Sequence, residues 1–535
     1  MDTRRLILFV IFSFSIMLLW DAWQKEHAPE TPATQTAATP QGAPADKPQE
    51  NGGFSLKKGE RITVKTDLYS AVIDTVGGDL RQLSLLEHKA DDNSGPYELM
   101  SDQSKEKLYV AQTGLKGNGL PTHYETFTAA NTSYVMQESE NSLEVRLTAP
   151  ETNGIAVDKI YIFHRGQYQI DVRYEIKNNS AQAISPSVYY QIIHDRESNQ
   201  GSKMMPTFTG GAYFNEADKY NKVKFDDMAK KDISLTAKDG WVGLVQHYFV
   251  SAWIPQSKAE QKFYTTKLSE SDFSIGTILP VGEIAAGSSK TVDARLFTGP
   301  QEQDALEAAA PGMEYVVDYG ILTIIAKPLM WLLTHIYDLV KNWGVAIIIL
   351  TVLIKAAFFK LSASGYRNMA HLREMAPRMQ ALKDKFGDDK QKLQQAMMEM
   401  YRTEKINPMG GCLPILVQIP VFISLYWVLL GSVQLRHAPF FGWIQDLSAT
   451  DPYFILPILM GATMIIQTTL NPPPTDPIQA KVMKIMPVLF SVFFFFFPAG
   501  LVLYWLVNNI LSIWQQWAIN RMIHAETIAK KGHGK

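Results

Sequence analysis

Long apolar segments lie at the start of this chain and after residue 320, and they limit its fold more than any other feature. A helix that crosses a bilayer needs about 20 mostly apolar residues. The region between the two apolar parts has the mixed composition of a folded soluble domain. The sequence therefore predicts a membrane protein that carries a large soluble domain.

The first apolar run, residues 6–20, follows Arg4 and Arg5 and resembles a secretion signal. It ends on bulky Trp20 and Trp23, and no small-residue cleavage site follows at once. We predict an uncleaved anchor over residues 1–23, with its N-terminus in the cytoplasm. Cleavage near "TQTAAT" stays open as the alternative.

Five more spans are predicted, at 343–360, 412–433, 453–470, 485–497 and 501–519. The apolar segment 321–342 contains Lys327, His335 and Asp338, so we predict an interfacial helix there. The 13 residues of 485–497 would reach only about 20 Å, against a hydrocarbon core of about 30 Å. This span requires either a thinned bilayer or an earlier start, around Val482.

Charges in the connections predict the orientation. Residues 360–406 contain ten Lys or Arg, residues 521–535 contain four, and the connection 434–452 contains only Arg436. Basic short loops stay in the cytoplasm. Six spans with both termini in the cytoplasm fit this rule, and they place residues 24–320 outside the cytoplasm.

The soluble parts differ in pattern. Residues 24–54 are rich in Pro, Ala and Thr and predict a flexible linker. Residues 55–320 alternate polar and apolar residues between Gly, Asn and Pro turns, which predicts a large exported β-sandwich. Residues 364–406 predict a cytoplasmic helical hairpin, and 520–535 a basic tail. The predicted fold class is mixed: an α-helical polytopic core of six spans, five of them in one bundle, plus this β-sandwich.

Common catalytic and binding signatures are not found in the sequence. The net charge of −2 does not favour direct DNA binding, and the sequence has neither a phosphate-binding loop nor paired metal ligands. We predict no catalytic residue, metal or cofactor. The one enzyme alternative is a membrane peptidase with a Ser–Lys pair at Lys355. Its nearby serines, Ser362 and Ser364, lie toward the cytoplasm, where exported substrates are not cut.

Polar residues inside the predicted spans indicate a site. Thr351, Lys355 and Ser362 share one helix face, Tyr504, Asn508, Ser512 and Gln515 share another, and Gln418 lies on a third span. Polar groups in lipid face protein, water or each other, so we predict a shared polar concavity. Two alternatives stay open: these groups only join helices, or Lys355 extends to the cytoplasmic headgroups.

Four motifs make the chain resemble the YidC-type membrane protein insertases of Gram-negative bacteria. They are "NPMGGCLPILVQIPVFISLYWVLLGSVQLR", "WIQDLSATDPYFILPILMG", "MPVLFSVFFFFFPAGLVLYWLVNN" and "GDDKQ". The resemblance implies a protein that inserts and helps fold inner-membrane proteins without nucleotide hydrolysis, alone or with the Sec translocon. It also implies a hydrophilic groove that is open to the cytoplasm and to lipid.

The resemblance assigns roles to particular residues. Lys355 stands where the family usually has arginine, with Thr351 one turn earlier, and Trp505 stands where tyrosine is common. The implied groove comprises Lys355, Thr351, Gln418, Tyr504, Trp505, Asn508 and Ser512. The implied hydrophobic slide comprises Ile419, Phe422, Ile423, Tyr426, Phe493 and Phe496.

The implied partners are nascent membrane proteins, the lipid bilayer and the Sec translocon. The translating ribosome and its targeting machinery would meet the cytoplasmic hairpin and the basic tail. The alternative function is a polytopic transporter with a polar intramembrane site, although the spans lack the internal repeat that many transporters have.

Overall fold

The computed structural model describes residues 55–104, 107–196, 207–387, 389–404, 413–470 and 477–532. These residues form two compact units that divide after Asp318. The predicted anchor at 1–23, the linker at 24–54 and the last residues of the basic tail lie outside the described ranges.

The first unit is a sandwich of two β-sheets. Its strands are β1 (Arg61–Lys65), β2 (Tyr69–Asp74), β3 (Asp79–Lys89), β4 (Pro96–Ser104), β5 (Lys107–Lys116), β6 (Thr128–Ala129), β7 (Ser133–Val135), β8 (Ser142–Thr148), β9 (Ile155–His164), β10 (Gln169–Asn178), β11 (Ser187–Asp195), β12 (Gly210–Asn215), β13 (Lys219–Val223), β14 (Ser234–Ala237), β15 (Trp241–Val245), β16 (Phe249–Pro255), β17 (Gln261–Lys267), β18 (Asp272–Pro280) and β19 (Ser289–Pro300). Two short helices, α1 (Phe225–Lys230) and α2 (Gln303–Ala309), accompany them.

The ten-stranded sheet has the order β14–β17–β18–β11–β5–β4–β3–β2–β1–β7, and the nine-stranded sheet has the order β13–β12–β15–β16–β19–β10–β9–β8–β6. The predicted alternation is visible in β10, where Ile170, Val172, Tyr174 and Ile176 are buried and the residues between them are not fully buried. Successive side chains of a strand point to opposite faces. The prediction of a large β-sandwich is confirmed.

Three charged side chains lie buried between the two sheets. Arg81 Nη2 lies 3.2 Å from Asp79 Oδ2, and Lys159 Nζ lies 3.7 Å from Asp79 Oδ1. Gln112 donates to Asp79 Oδ2 at 2.7 Å, and Lys159 Nζ donates to two backbone carbonyls, those of Gly77 and Thr113. Because β3 and β9 belong to different sheets, this cluster joins the two halves of the sandwich.

Lys159 gives the sandwich a testable pH dependence. Burial lowers the pKa of its ammonium to about 8, Arg81 acts in the same direction, and Asp79 acts against both. The pKa of a lysine in an unfolded chain is about 10.4. Between these pH values the unfolded chain binds more protons than the folded one, so the free energy of unfolding rises with pH. Burial raises the pKa of Tyr161 and Tyr174, so tyrosine ionisation opposes this rise only above about pH 10.

We expect the parent domain to gain on the order of 1–2 kcal/mol between pH 8 and 9.5 from this group, and the Lys159→Met variant to lose that gain. The measurement is urea unfolding of residues 55–318, followed by the fluorescence of buried Trp241 and Trp253. Lys177→Met, at a position exposed on β10, is the control and keeps the parent slope. Equal slopes in the parent and Lys159→Met would contradict a buried lysine that titrates.

The second unit is helical. Its helices are α3 (Thr323–Val340), α4 (Trp343–Ala357), α5 (Phe359–Phe386), α6 (Lys390–Thr403), α7 (Leu413–Gly431), α8 (Ile455–Leu470), α9 (Pro477–Phe493) and α10 (Ala499–Gly532). Helix α3 lies within the predicted interfacial segment. Helices α5 and α6 form a hairpin in which Arg378 pairs with Glu404 at 2.6 Å.

Within the described ranges, no single helix is both long and apolar enough to cross a membrane. The helical segments Trp343–Ala357 and Phe359–Leu372 are long and apolar enough when taken together, and the chain bends by 66° between them. Helix α9 begins at Pro477 and continues as a 3-10 turn, Phe494–Phe496. The helix thus begins before the short span predicted at 485–497, and the thinned bilayer and the earlier start of that span both stay predictions. The count of six spans stays a prediction.

Candidate functional site

A cavity of about 380 Å³ lies in the helical unit, between helices α4, α5, α7, α8 and α10. Its walls combine polar and apolar side chains from all five helices. The lining residues are Lys355, Ser362, Gly365, Tyr366, Met369, Gln418, Ile419, Phe422, Met464, Gln467, Thr468, Tyr504, Trp505, Asn508, Asn509 and Ser512. Among these residues Lys355 alone carries a full charge at neutral pH, so the lining has a positive charge and no acidic side chain to balance it.

Lys355 is buried and held by a neighbouring helix. Its Nζ donates to Ser512 Oγ at 2.8 Å, and only 6% of the residue is exposed. Ser512 Oγ donates in turn to Asn508 O, one helical turn earlier on α10. Lys355 therefore binds α10 and does not extend along its own helix to the end of the bundle. Among the described residues, the hydrogen-bond partner of the lysine is this neutral hydroxyl.

A second polar contact joins α7 to α10. Gln418 Nε2 donates to Asn508 Oδ1 at 2.9 Å, and both residues line the cavity. The pair connects two helices, as the helix-joining alternative predicts, and it also presents polar groups to the cavity. The adjacent Asn509 also lines the cavity, and its Nδ2 donates to Thr463 Oγ1 on α8.

Aromatic rings form the apolar wall. Phe422 lies 4.6 Å from Trp505 and 6.0 Å from Tyr504, measured between ring centroids. Trp505 also contacts Phe494 at 5.5 Å, and Tyr426 contacts Phe497 at 6.4 Å. The rings connect α7, α10 and the segment after α9. The indole Nε1 of Trp505 is buried without a hydrogen-bond partner among the described residues.

The remaining predicted slide residues lie around this cluster. Ile419 and Ile423 on α7 are 43% and 37% exposed, and Phe493 and Phe496 are 46% and 51% exposed. Phe493 also packs against Phe497 at 4.8 Å. Ile419 belongs to the cavity lining, whereas Ile423, Tyr426, Phe493 and Phe496 do not. The apolar surface thus continues from the cavity wall onto the outside of the helices.

Thr351 is not among the residues that line the cavity. It is 1% exposed, and its Oγ1 donates to Ile347 O in its own helix at 2.6 Å. Short hydroxyl side chains in helices commonly bond to the preceding turn. Gln515 is buried and also does not line the cavity.

Sequence reasoning missed several lining residues. Tyr366 and Met369 come from α5, where the bend after α4 turns this helix under the cavity. Met464, Gln467 and Thr468 come from α8, and Asn509 comes from α10. The polar residues in "IIQTTL", near the end of a predicted span, could have indicated that α8 contributes to the cavity. The contribution of α5 depends on the bend, which the sequence does not reveal.

The connecting loop, residues 432–454, packs against the end of the bundle where α4 and α10 begin. Ala499 N and Gly500 N donate to Ala449 O and Leu447 O of the loop, at 2.7 and 2.9 Å. Asn342 Nδ2 donates to Phe440 O at 3.0 Å. The loop is therefore attached to both α4 and α10, the helices that carry Lys355 and Ser512.

Comparisons with known proteins agree with this architecture. The family model for the YidC periplasmic domain matches residues 61–332, and the model for the 60Kd inner membrane protein matches residues 335–526. Membrane protein insertase YidC of Methylobacillus flagellatus is 63% identical, with 100% of both chains covered. The protein of the same name from Aromatoleum aromaticum is 51% identical, covering 99% of this chain and 100% of the relative.

A crystal structure of an active YidC insertase is 17% identical to this chain, with a TM-score of 0.39, and the match covers 86% of this chain and 92% of that one. The two family models together define the class: an inner membrane protein with a periplasmic domain. The chain belongs to the YidC family of membrane protein insertases.

Proposed function

We propose that this protein inserts client proteins into the inner membrane through the cavity around Lys355, without nucleotide hydrolysis. The observation that carries the proposal is the single positive charge among the described lining residues, which are otherwise neutral and partly aromatic. A polar segment of a client would rest in the cavity, and the apolar segment beside it would contact the aromatic wall.

The charge of Lys355 supports a preference for acidic client tails. A carboxylate at about 4 Å from the ammonium would gain about 4 kcal/mol at an effective dielectric constant of about 20. It would replace a neutral partner, the hydroxyl of Ser512. Because lysine is a point charge and lacks the donor fork of arginine, the attraction is strong but not bidentate.

The aromatic wall supports a path into lipid. Phe422 and Ile419 line the cavity, and Ile423, on the same helix, is 37% exposed outside the lining. Each Leu, Ile, Phe or Val of a client that enters lipid gains about 0.3–0.6 kcal/mol. Summed over a span, this gain is large enough to draw a short polar tail across without ATP.

The charge pattern supports the orientation and the partners. In the proposed arrangement both termini and the α5–α6 hairpin lie in the cytoplasm, and the connecting loop faces the periplasm. The ten Lys or Arg of residues 360–406 and the four of residues 521–535 would meet the translating ribosome and targeting machinery. We propose the Sec translocon as a second partner, on the basis of the family resemblance.

Reconstitution tests the proposed activity. The purified full chain in liposomes receives a short single-span client with two acidic residues in its leading tail, synthesised without membranes. We expect the client span and tail to become protected from added protease in vesicles with the protein, with no added ATP after synthesis. Equal protection in vesicles without the protein would contradict the proposed function.

A further inference from the structure

We infer that Asp451 is a positioning residue that keeps the periplasmic end of the cavity sealed between insertion events. The inference deepens the proposed function and rests on the orientation given there. A client tail that leaves the cavity for the periplasm has to pass the end of the bundle covered by the connecting loop. What holds this loop in its closed form therefore controls the last step of insertion.

The Asp451 carboxylate organises the loop from inside. The residue is 1% exposed, and its two oxygens accept three N–H groups. Trp443 Nε1 and Tyr453 N donate to Oδ1, each at 3.0 Å, and Leu456 N donates to Oδ2 at 2.7 Å. Hydrogen bonds to an ionised carboxylate are stronger than those between neutral groups. One buried side chain thus connects the middle of the loop, its end and the first turn of α8.

Each hydrogen bond between the loop and the bundle is between neutral groups and is therefore weaker than the bonds to the Asp451 carboxylate. These bonds include two backbone hydrogen bonds from Ala499 and Gly500, and the Asn342 amide bond to Phe440 O. The Phe440 ring fills the space beside Gly344, where an added Cβ would collide with Phe440 Cδ2. These contacts can break and reform as one tail passes, provided that the loop keeps its shape. Asp451 supplies that shape.

Sidedness of thiol labelling tests the inference in the full chain. Cys412→Ser removes the natural cysteine, and Met464→Cys places a probe in the cavity lining. A membrane-impermeant maleimide is added either from the periplasmic side of cells or from the cytoplasmic side of inverted vesicles. In the parent background we expect labelling from the cytoplasmic side only.

Asp451→Ala is expected to raise periplasmic labelling by at least about tenfold, because three charge-assisted hydrogen bonds are lost, while cytoplasmic labelling stays unchanged. Asp446→Ala is the matched control. Asp446 lies in the same loop, but it binds Ser448 and His437 within the loop, and its loss should keep labelling one-sided. A variant that merely unfolds would alter labelling from both sides.

Trp443→Phe keeps an aromatic side chain and removes one donor to Asp451, so it tests the same contact if Asp451→Ala does not accumulate. We expect a smaller rise in periplasmic labelling for this variant. One-sided labelling at the parent rate in whichever of the two variants accumulates would overturn the inference. The assay contains no client, so its failure would leave the proposed function standing, and failure of reconstitution would leave this result standing.

Discussion

Lys355→Ala should lower the insertion of a client with an acidic leading tail by about tenfold or more, with little effect on a client whose tail is neutral. The ammonium is the only full charge in the described cavity lining, and its attraction to a carboxylate is worth about 4 kcal/mol at an effective dielectric constant of about 20. A loss of about 1.4 kcal/mol is already tenfold. The measurement is the rate of protease protection in reconstituted vesicles, compared between clients that differ only in tail charge.

Two further variants test whether the effect depends on a positive charge and on its position in the cavity. Lys355→Arg should retain most of the activity on acidic tails, because the charge stays in the cavity. Lys360→Ala removes an equal charge from an exposed position outside the lining and should leave both clients unaffected. Equal losses for acidic and neutral tails in Lys355→Ala would contradict the counter-charge role. They would indicate that the lysine supports the packing of α4 against α10.

Asp79→Asn should destabilise the periplasmic domain by about 3–5 kcal/mol, the usual cost of removing one partner from a buried ion pair. The substitution keeps the shape of the side chain but leaves Arg81 and Lys159 buried beside a neutral group. The measurement is the urea unfolding midpoint of residues 55–318, followed by Trp241 and Trp253 fluorescence at neutral pH.

The control for Asp79 is Asp158→Asn on β9. Asp158 lies 3.0 Å from Arg146 in a cross-strand network where the arginine side chain is 42% exposed. Surface pairs of this kind contribute about 0–1 kcal/mol. In a Lys159→Met background the Asp79→Asn change should cost less, because one unpaired cation is gone. Equal costs at positions 79 and 158 would show that the buried cluster is not an electrostatic contact between the sheets.

The strands could be predicted because their pattern is local. In β9 the alternation places Lys159 in phase with Ile155, Val157 and Tyr161, so an inward-facing lysine was visible in the sequence. Its partner Asp79 lies 80 positions earlier, in the other sheet. No local pattern reveals which distant strand carries a counter-charge.

In the cavity, too, local sequence patterns do not reveal which distant residues come into contact. Polar residues within apolar helices mark helix faces, so Gln418, Asn508 and Ser512 could be named in advance. Which groups pair depends on how helices pack, and Lys355 meets Ser512 across 157 positions of sequence. Thr351 lies on the expected face, yet it bonds to its own helix. A hydroxyl that can satisfy itself locally gives no reliable signal of a cavity.

Site-specific photocrosslinking to a ribosome-held nascent chain tests the central claim most directly, which is that clients pass through this cavity. Probes at Gln418 and Phe422 lie in the lining, and a control probe at Trp514 lies on α10 in a position that is 59% exposed and outside the lining. We predict crosslinks from Phe422 to the apolar client span and from Gln418 to its polar tail, with few from Trp514. Efficient insertion without crosslinks from Gln418 or Phe422 would contradict the claim.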